Sequence, residues 1–323
     1  MSSSPDAIIV GGGVAGLSVA RVLAEKQRRV LLLEREPQLA SQASGNNAAI
    51  CRPLELDAAS SDLPRRSRQL LEAWFGPGLL EVTGLVLVSD AAAKVSQLVA
   101  AAASGGVSHA QLDESQLRSL VPSLAGGEAR HALLLHEAGV LDVPAFTTGL
   151  AAQARAFGAE LRTRVAVQEL RRERGRITGV TLRDGTHVSA PCVIVAAGAW
   201  NASLGEASGA ALPLVPLRRH LIELRTRADV AASEPVVWRL EDEVYYRRQG
   251  SGVLASPCDE TRSILAVATR APVDSDPSAP AALNEKLQRI APSLANGSIL
   301  RAWACLRTFA SDRELVVGAD PRV

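Results

Sequence analysis

The stretch Ala7-Ile8-Ile9-Val10-Gly11-Gly12-Gly13-Val14-Ala15-Gly16 joins a short apolar run to a glycine-rich turn. Four consecutive apolar residues are typical of a buried parallel strand, and the apolar residues of Leu17 to Glu25 then recur at helical spacing. Arg29 to Glu34 forms a second apolar run that ends in an acid. The sequence therefore predicts a strand, a turn, a helix and a second strand, which is the start of an α/β fold.

The glycine turn has the spacing of a dinucleotide-binding motif. Its glycines would allow a tight turn, close approach of the backbone to a pyrophosphate and close packing of the helix on the strand. The helix N-terminus would offer free N–H groups to the phosphates, and Glu34 would accept hydrogen bonds from ribose hydroxyls. The candidate residues of this turn are Gly11, Gly13, Val14, Ala15 and Gly16. The alternative is a glycine turn that binds nothing, and the motif does not distinguish NAD from FAD.

Composition excludes several other classes of protein. The chain has 323 residues, of which 47% are hydrophobic and 21% charged, so it is a globular chain long enough for two domains. Its net charge of +1 gives no overall signal for nucleic acid. The four cysteines contain no C-x-x-C pair, the histidines lack metal-ligand spacing, and no apolar run is long enough to span a membrane. We expect a soluble cytoplasmic protein with no metal site and no integral membrane segment.

The rest of the chain alternates between two patterns. Helical periodicity or turn residues predict helices over 67–75, 91–103, 111–120, 144–157 and 283–290. Apolar runs and turn residues predict strands over 85–88, 158–161 and 192–198, a hairpin of 177–182 with 187–190, and short antiparallel strands from 214 to 267. Because the two patterns interleave, we expect two interleaved domains.

Two further stretches carry a family resemblance. Ala43-Ser44-Gly45-Asn46-Asn47-Ala48-Ala49 and Val193-Ile194-Val195-Ala196-Ala197-Gly198-Ala199-Trp200 resemble segments near the flavin in the D-amino-acid, glycine and sarcosine oxidase superfamily, the DAO family. The resemblance covers residues 6 to 323 and implies FAD as the cofactor. Beyond the glycine turn and Glu34, it implies FAD contacts from Arg35, Ala43, Ser44, Asn47, Ala48, Val167, Ala197, Gly198 and Trp200.

The resemblance also implies the architecture. We expect an α/β fold in which a three-layer, Rossmann-like FAD-binding domain is interleaved with an α+β substrate domain built on a mostly antiparallel sheet. The FAD-binding domain would comprise residues 1–83, 141–215 and 303–323, and the substrate domain residues 84–140 and 216–302. The family continues past this point into a final strand and helix, so we also expect the chain to be a truncated form with weakened flavin affinity.

On the substrate side, two residues match the family. Tyr245 would face the substrate from a hairpin, and Arg307, in Trp303-Ala304-Cys305-Leu306-Arg307, would bind the substrate carboxylate. The alternatives are a packed aromatic for Tyr245 and a structural ion pair for Arg307. Cys305 stands where one branch of the family attaches its flavin covalently, but a small buried side chain is the favoured interpretation. His220 is interpreted as structural.

The function implied is oxidation of the C–N bond of an amino acid or N-substituted amino acid, by hydride transfer to flavin. No catalytic side chain is assigned, because the flavin carries the chemistry. Oxygen or a quinone would be the electron acceptor. Assembly into a homo-oligomer is a further possibility that the sequence does not decide. Two alternatives remain: the FAD domain of a tRNA wobble-uridine modification enzyme, and a non-catalytic flavin-binding subunit of a heteromeric dehydrogenase.

Overall fold

The computed structural model describes residues 4–54, 62–206, 208–226, 230–265, 270–271 and 274–323. The helices of these residues are α1 (Val14–Glu25), α2 (Asp62–Phe75), α3 (Ala92–Ser104), α4 (Glu114–Leu120), α5 (Val143–Ala156), α6 (Asn201–Glu206) and α7 (Ser278–Ile290). The strands are β1 (Ala7–Val10), β2 (Val30–Leu33), β3 (Ile50–Cys51), β4 (Leu80–Glu81), β5 (Leu85–Ser89), β6 (His109–Leu112), β7 (His131–Leu135), β8 (Gly139–Leu141), β9 (Glu160–Arg162), β10 (Val167–Glu173), β11 (Arg176–Leu182), β12 (His187–Ser189), β13 (Val193–Val195), β14 (Val215–Arg225), β15 (Val236–Arg239), β16 (Val244–Gln249), β17 (Gly252–Ser256), β18 (Thr261–Arg262) and β19 (Ser298–Phe309). None of the helices in the described ranges has the length and apolar character needed to cross a membrane.

The predicted first unit forms a parallel sheet in the order β13-β1-β2-β9. Alternate side chains of its strands point to opposite faces. Ile9 and Leu32 pack with helices α1 and α5 on one face, whereas Ile8 and Leu31 pack with the antiparallel sheet β10-β11-β12 on the other. The sheet is thus covered on both sides, and the predicted three-layer architecture is confirmed.

A second, larger sheet has the order β18-β14-β17-β16-β15-β5-β7-β6, with β19 paired to β14. Its pairings are antiparallel except for the parallel pair β15 and β5. Val244 and Tyr246 pack with helices α4 and α7 in a buried core on one side. Tyr245, between them in sequence, packs on the opposite side with Ala48 and Leu221. We call this second side the inner face, since it carries the candidate substrate residues. The mostly antiparallel second sheet was expected, and it is confirmed.

Local differences from the expected elements have physical causes. The helix expected over 111–120 is wrong at its start, because Gln111 and Leu112 belong to β6 and pair with Leu133 and Ala132 of β7. Helix α4 begins only after Asp113, whose side chain caps it. Of the region 214–267, residues 227–229 and 266–267 lie outside the described residues. Strand β19 runs across the expected boundary at 302/303, and the domain division itself stays a prediction.

Candidate functional site

The glycine turn between β1 and α1 is closed so tightly that side chains would not fit. Gly11 has a φ of +109°, in the region that favours glycine, and a Cβ there would lie 2.4 Å from the Ala196 carbonyl oxygen. A Cβ on Gly16 would lie 2.0 Å from the Gly11 carbonyl oxygen. The absence of side chains therefore brings the end of β1, the start of α1 and the end of β13 together.

The N-terminus of α1 has free hydrogen-bond donors. The Val14 N–H donates to the Ser44 hydroxyl at 3.0 Å. Across the described part of the chain, no acceptor lies within hydrogen-bond reach of the N–H groups of Gly13, Ala15 and Gly16. Backbone donors at the positive end of a helix are suited to a phosphate group. This end of α1 can therefore hold the pyrophosphate of a dinucleotide.

Glu34 lies directly beside the turn. Its carboxylate accepts hydrogen bonds from the Gly12 N–H at 2.6 Å and from the Glu36 N–H at 2.8 Å. Those two bonds fix the carboxylate at the end of β2, where a ribose bound against the turn would meet it. Next to it, the Arg35 guanidinium stacks on the Trp200 ring, with 3.7 Å between the guanidinium carbon and the ring centroid. Arg35 and Trp200 are thus stacked beside Glu34, at the end of the sheet where β2 ends.

Segment 43–49 links the turn to the inner face of the large sheet. The Asn47 side chain folds the segment back on itself: it donates to the carbonyls of Ala43 and Ser44 and accepts from the Ala49 N–H. Ala48 is buried in the cluster that contains Tyr245. One short segment therefore contacts both the helix N-terminus and the substrate-side residues.

The remaining cofactor candidates are Ala197 and Gly198, next to Gly11, and Val167, near Glu34. Ala197 and Gly198 follow β13, and the Ala197 N–H donates to the Asn201 side-chain oxygen at 2.7 Å. Val167 begins β10 opposite Leu182, two residues after Val165, whose N–H donates to the Glu34 carbonyl. Their contacts with a cofactor stay a prediction.

Tyr245 lies in the middle of the large sheet. It is opposite Trp238 on β15 and Ser256 on β17, and its ring centroid is 5.2 Å from that of Trp238. Burial raises the pKa of Tyr245, so the phenol is neutral near pH 7. A buried neutral phenol can donate one hydrogen bond to a ligand without bringing a charge. Its position is compatible with substrate contact and with packing alike.

Arg307 lies on β19 opposite Leu217 of β14. Leu217 and Leu221 are four residues apart on one strand and share a face, and Leu221 packs with Tyr245, so Arg307 belongs to the inner face as well. The guanidinium stacks on Phe309 at 4.8 Å and has neither a hydrogen bond nor an ion pair with any described residue. Arg307 is exposed to solvent, and the nearby protein partly desolvates its guanidinium. Desolvation and then the charge of Arg219 lower the pKa of Arg307.

Arg219 is a site neighbour that sequence reasoning missed. It lies two residues from Leu217 and opposite Cys305, which makes it a diagonal neighbour of Arg307 on the same face. Its guanidinium is buried and pairs with Glu260 at 2.8 Å. The signal available in the sequence was its place two residues before Leu221 on an alternating strand. Arg219 raises the positive potential at Arg307 and leaves Arg307 as the cation available to a ligand.

Two other candidates have plain structural environments. The Cys305 side chain is buried, and burial raises the pKa of its thiol. The buried His220 ring contacts Asp259 at 2.6 Å through Nδ1 and accepts the Asp276 N–H at 2.8 Å through Nε2. His220 therefore anchors the chain before α7 onto β14, in keeping with a structural role.

These residues fit a bound dinucleotide cofactor. The glycines at 11 and 16 let the end of β1, the start of α1 and the end of β13 approach closely, the helix end presents free N–H groups, and the Glu34 carboxylate lies beside the turn. The other half of the site is a desolvated guanidinium without an acidic partner in the described ranges, with a neutral phenol on the same face. Such an arrangement can hold a carboxylate beside a cofactor that begins at α1.

Comparison with known proteins gives consistent results. The model of the DAO family, described as FAD dependent oxidoreductase, matches residues 6–323. The 4-methylaminobutanoate oxidase (formaldehyde-forming) of Paenarthrobacter nicotinovorans is 26% identical over 324 residues, covering 96% of this chain and 39% of that protein. The mitochondrial sarcosine dehydrogenase of Homo sapiens is 26% identical over 267 residues, covering 78% of this chain and 29% of that protein.

A solved structure, glycine oxidase from Geobacillus kaustophilus, superposes with a TM-score of 0.81 at 21% identity, covering 99% of this chain and 87% of that chain. This likeness shows a shared fold. The chain spans less than half the length of the two curated relatives, at 39% and 29%.

Proposed function

The chain belongs to the DAO family of FAD-dependent oxidoreductases, and from that membership we propose that it oxidises the C–N bond of an amino acid or an N-substituted amino acid. The observation that carries this proposal is Arg307. An exposed guanidinium that nearby protein partly desolvates, without an acidic partner in the described ranges, is a binding group for a planar carboxylate, which it can contact through two parallel hydrogen bonds.

The residues that would hold FAD are those of the glycine turn together with Glu34 and Ser44. FAD supplies the hydride acceptor in this chemistry, and the protein contributes binding, orientation and exclusion of water. The curated relatives are named for the oxidation of 4-methylaminobutanoate and of sarcosine, and both compounds are N-methyl amino acids. These names support an N-substituted amino acid as substrate.

Three tasks fall to residues of this chain. Arg307 would fix the carboxylate and thereby place the carbon next to the amine at the reacting position. The Tyr245 hydroxyl, neutral because it is buried, would donate a hydrogen bond to the same carboxylate. The apolar cluster around Tyr245 would keep water from the reacting carbon. Loss of a hydride from that carbon, for which FAD would be the acceptor, and of a proton from the amine to solvent would leave an imine, which water hydrolyses to a carbonyl compound and an amine.

The test is an anaerobic screen of the flavin-loaded protein. Glycine, sarcosine, proline and D-amino acids are mixed with it, and the flavin absorbance is followed. We expect at least one of these compounds to bleach the flavin. The corresponding amine, which has the same structure without the carboxylate, should not bleach it. An absorbance that stays unchanged with all amino acids would refute the proposal.

A further inference from the structure

A cavity of about 400 Å³ adjoins the inner face beside segment 43–49. Gly45, Asn47 and Ala49 line it, whereas Ala48 between them packs against Tyr245. Arg247, two residues after Tyr245 on β16, lines the cavity from the sheet. The cavity is therefore next to the candidate substrate residues but is not formed by them.

Arg247 is a half-buried cation with no acidic partner among the residues described. Its Nε donates to the Ala48 carbonyl at 2.7 Å, and its Nη1 donates to the Arg248 carbonyl at 3.0 Å. Both acceptors are neutral, and one of them holds the guanidinium against segment 43–49. Burial lowers the pKa of Arg247, which means that its charge is less well solvated than in water. An anion in the cavity would restore that lost solvation.

The acids around the cavity do not neutralise Arg247 by contact. Glu81 lines the cavity with an exposed side chain. The charges of Glu81 and Glu223 raise the pKa of Arg247 and so oppose the larger effect of burial, but neither carboxylate forms an ion pair with it. The Glu234 carboxylate, also at the lining, is buried and accepts the Ser123 hydroxyl at 2.6 Å. Arg248 adds a second, exposed cation. The cavity thus has two arginines in its lining, and neither forms an ion pair with a described carboxylate.

Strand register gives the separation of the two arginines. Arg247 is opposite Leu254, and Leu254 is opposite Glu223 of β14, whereas Arg307 is opposite Leu217 of the same strand. Glu223 and Leu217 are six residues apart, or roughly 20 Å at ~3.3 Å per residue. Because β17 and β14 lie between β16 and β19, three strand spacings of ~4.8 Å add to this, and the Cα atoms of the two arginines are roughly 25 Å apart. Tyr245 shares the inner face with both arginines. A ligand that contacts both arginines must be elongated and must pass Tyr245.

We propose that Arg247 binds a carboxylate at the far end of an elongated substrate, remote from the carboxylate that Arg307 would hold. The substrate class is an amino acid whose amine carries a long chain that ends in an acid. This inference rests on the proposed function for its first carboxylate, and it adds a second recognition point that a short amino acid does not reach.

Binding is measured first, without turnover, by titration calorimetry of the flavin-loaded protein with tetradecanedioate and with tetradecanoate at micromolar concentrations. These two ligands have the same length, which is long enough to reach both arginines, and only tetradecanedioate carries two carboxylates. We expect tetradecanedioate to bind at least about tenfold more tightly, and Arg247→Met to remove the difference. Arg247→Lys should retain part of it. Arg301→Met, an exposed arginine in the same row of the inner face, is the matched control and should leave the ratio within about threefold.

A substrate pair separates this inference from the proposed function. N-(10-carboxydecyl)glycine and N-undecylglycine are compared by flavin bleaching, and Arg247→Met should weaken only the first. If neither compound bleaches the flavin and the amino-acid screen is also negative, the proposed function fails, and the tetradecanedioate titration still decides the role of Arg247. Equal binding of tetradecanedioate and tetradecanoate, or a ratio that Arg247→Met leaves unchanged, overturns the inference. So does a loss of flavin content in Arg247→Met and Arg247→Lys alike, which would assign Arg247 to the cofactor.

Discussion

Gly16 faces the carbonyl oxygen of Gly11 so closely that a methyl group on Gly16 would lie 2.0 Å from it. This contact sets how near α1 begins to the end of β1. It also sets where the free N–H groups of α1 point, because the helix has no room to move away from the strand without losing its packing on Leu32 and Ala151.

Gly16→Ala should therefore destabilise the fold by ~1–3 kcal/mol and lower the flavin content, since the helix must shift to admit the methyl group. The control is Gly105→Ala, where φ is negative and the nearest atom would be 3.4 Å away. Denaturant unfolding of both variants checks this. Equal stability of Gly16→Ala and the parent would contradict the close contact.

Glu34→Ala should weaken FAD binding by ~1.5–3 kcal/mol, because a charged acceptor for the ribose hydroxyls is lost. The variant also leaves the Gly12 N–H without its 2.6 Å partner. Glu34→Gln keeps an acceptor oxygen and should therefore lose less FAD affinity than Glu34→Ala. Fluorescence titration of the apoprotein with FAD gives the three affinities, and an unchanged affinity in Glu34→Ala would exclude Glu34 from the cofactor site.

Arg307→Ala should weaken binding of an amino-acid substrate by ~2–5 kcal/mol, since the carboxylate would lose its charged partner in a desolvated site. Arg307→Lys should be nearly as weak, because a point charge does not reproduce the two parallel hydrogen bonds. Arg176→Ala, an exposed arginine at the start of β11 and away from the large sheet, is the control. The measurement is the substrate concentration that half-bleaches the flavin, and an identical value in the Arg307 variants and the parent would refute the assignment.

Cys305 should not carry the flavin covalently. Burial raises the pKa of its thiol, so little of the reactive thiolate exists near neutral pH. After acid precipitation, we expect the yellow colour in the supernatant for both the parent and Cys305→Ser. Colour that stays in the parent pellet and leaves it in Cys305→Ser would establish a tether instead.

Asp6 should make the stability of the fold depend on pH in the acid range. Its carboxylate accepts hydrogen bonds from the Arg29 side chain and the Arg29 N–H, and these lower the pKa of Asp6 from 3.8 to about 2. A lowered folded-state pKa contributes stability above pH 3.8 that is lost as the pH falls toward 2. Asp6→Asn should therefore be less stable than the parent at neutral pH, with the gap closing between pH 4 and 2. Melting temperatures over that range check the sign.

The cofactor half of the site could be predicted because its signals are local. The strand, the three glycines, the helix and Glu34 lie within 28 residues, and each step follows from chain geometry or helix dipoles. The same local patterns predicted most helices, including α5 with its proline in the first turn.

The rest depends on contacts between distant segments. Gln111 and Leu112 join a helix-like pattern in sequence, yet they pair with β7, because strand pairing overrides weak helical periodicity. Arg219 becomes a neighbour of Arg307 only through the β14–β19 register. Arg247 faces a cavity because Ala48, far away in sequence, accepts its hydrogen bond. No local pattern encodes such partners.

The long pairing of β14 with β19 has a consequence for how the molecule assembles. The two strands are hydrogen-bonded from Val215–Phe309 to Arg225–Ser298, so the chain must close a loop of more than seventy residues before Arg307 lies opposite Leu217. Loop closure of this kind slows folding, whereas the β1–α1–β2 unit, in which Glu34 accepts the Gly12 N–H, spans only 28 residues. During synthesis, the β1–α1–β2 unit can fold while Arg307 is still untranslated, so the two halves of the candidate site form at different times.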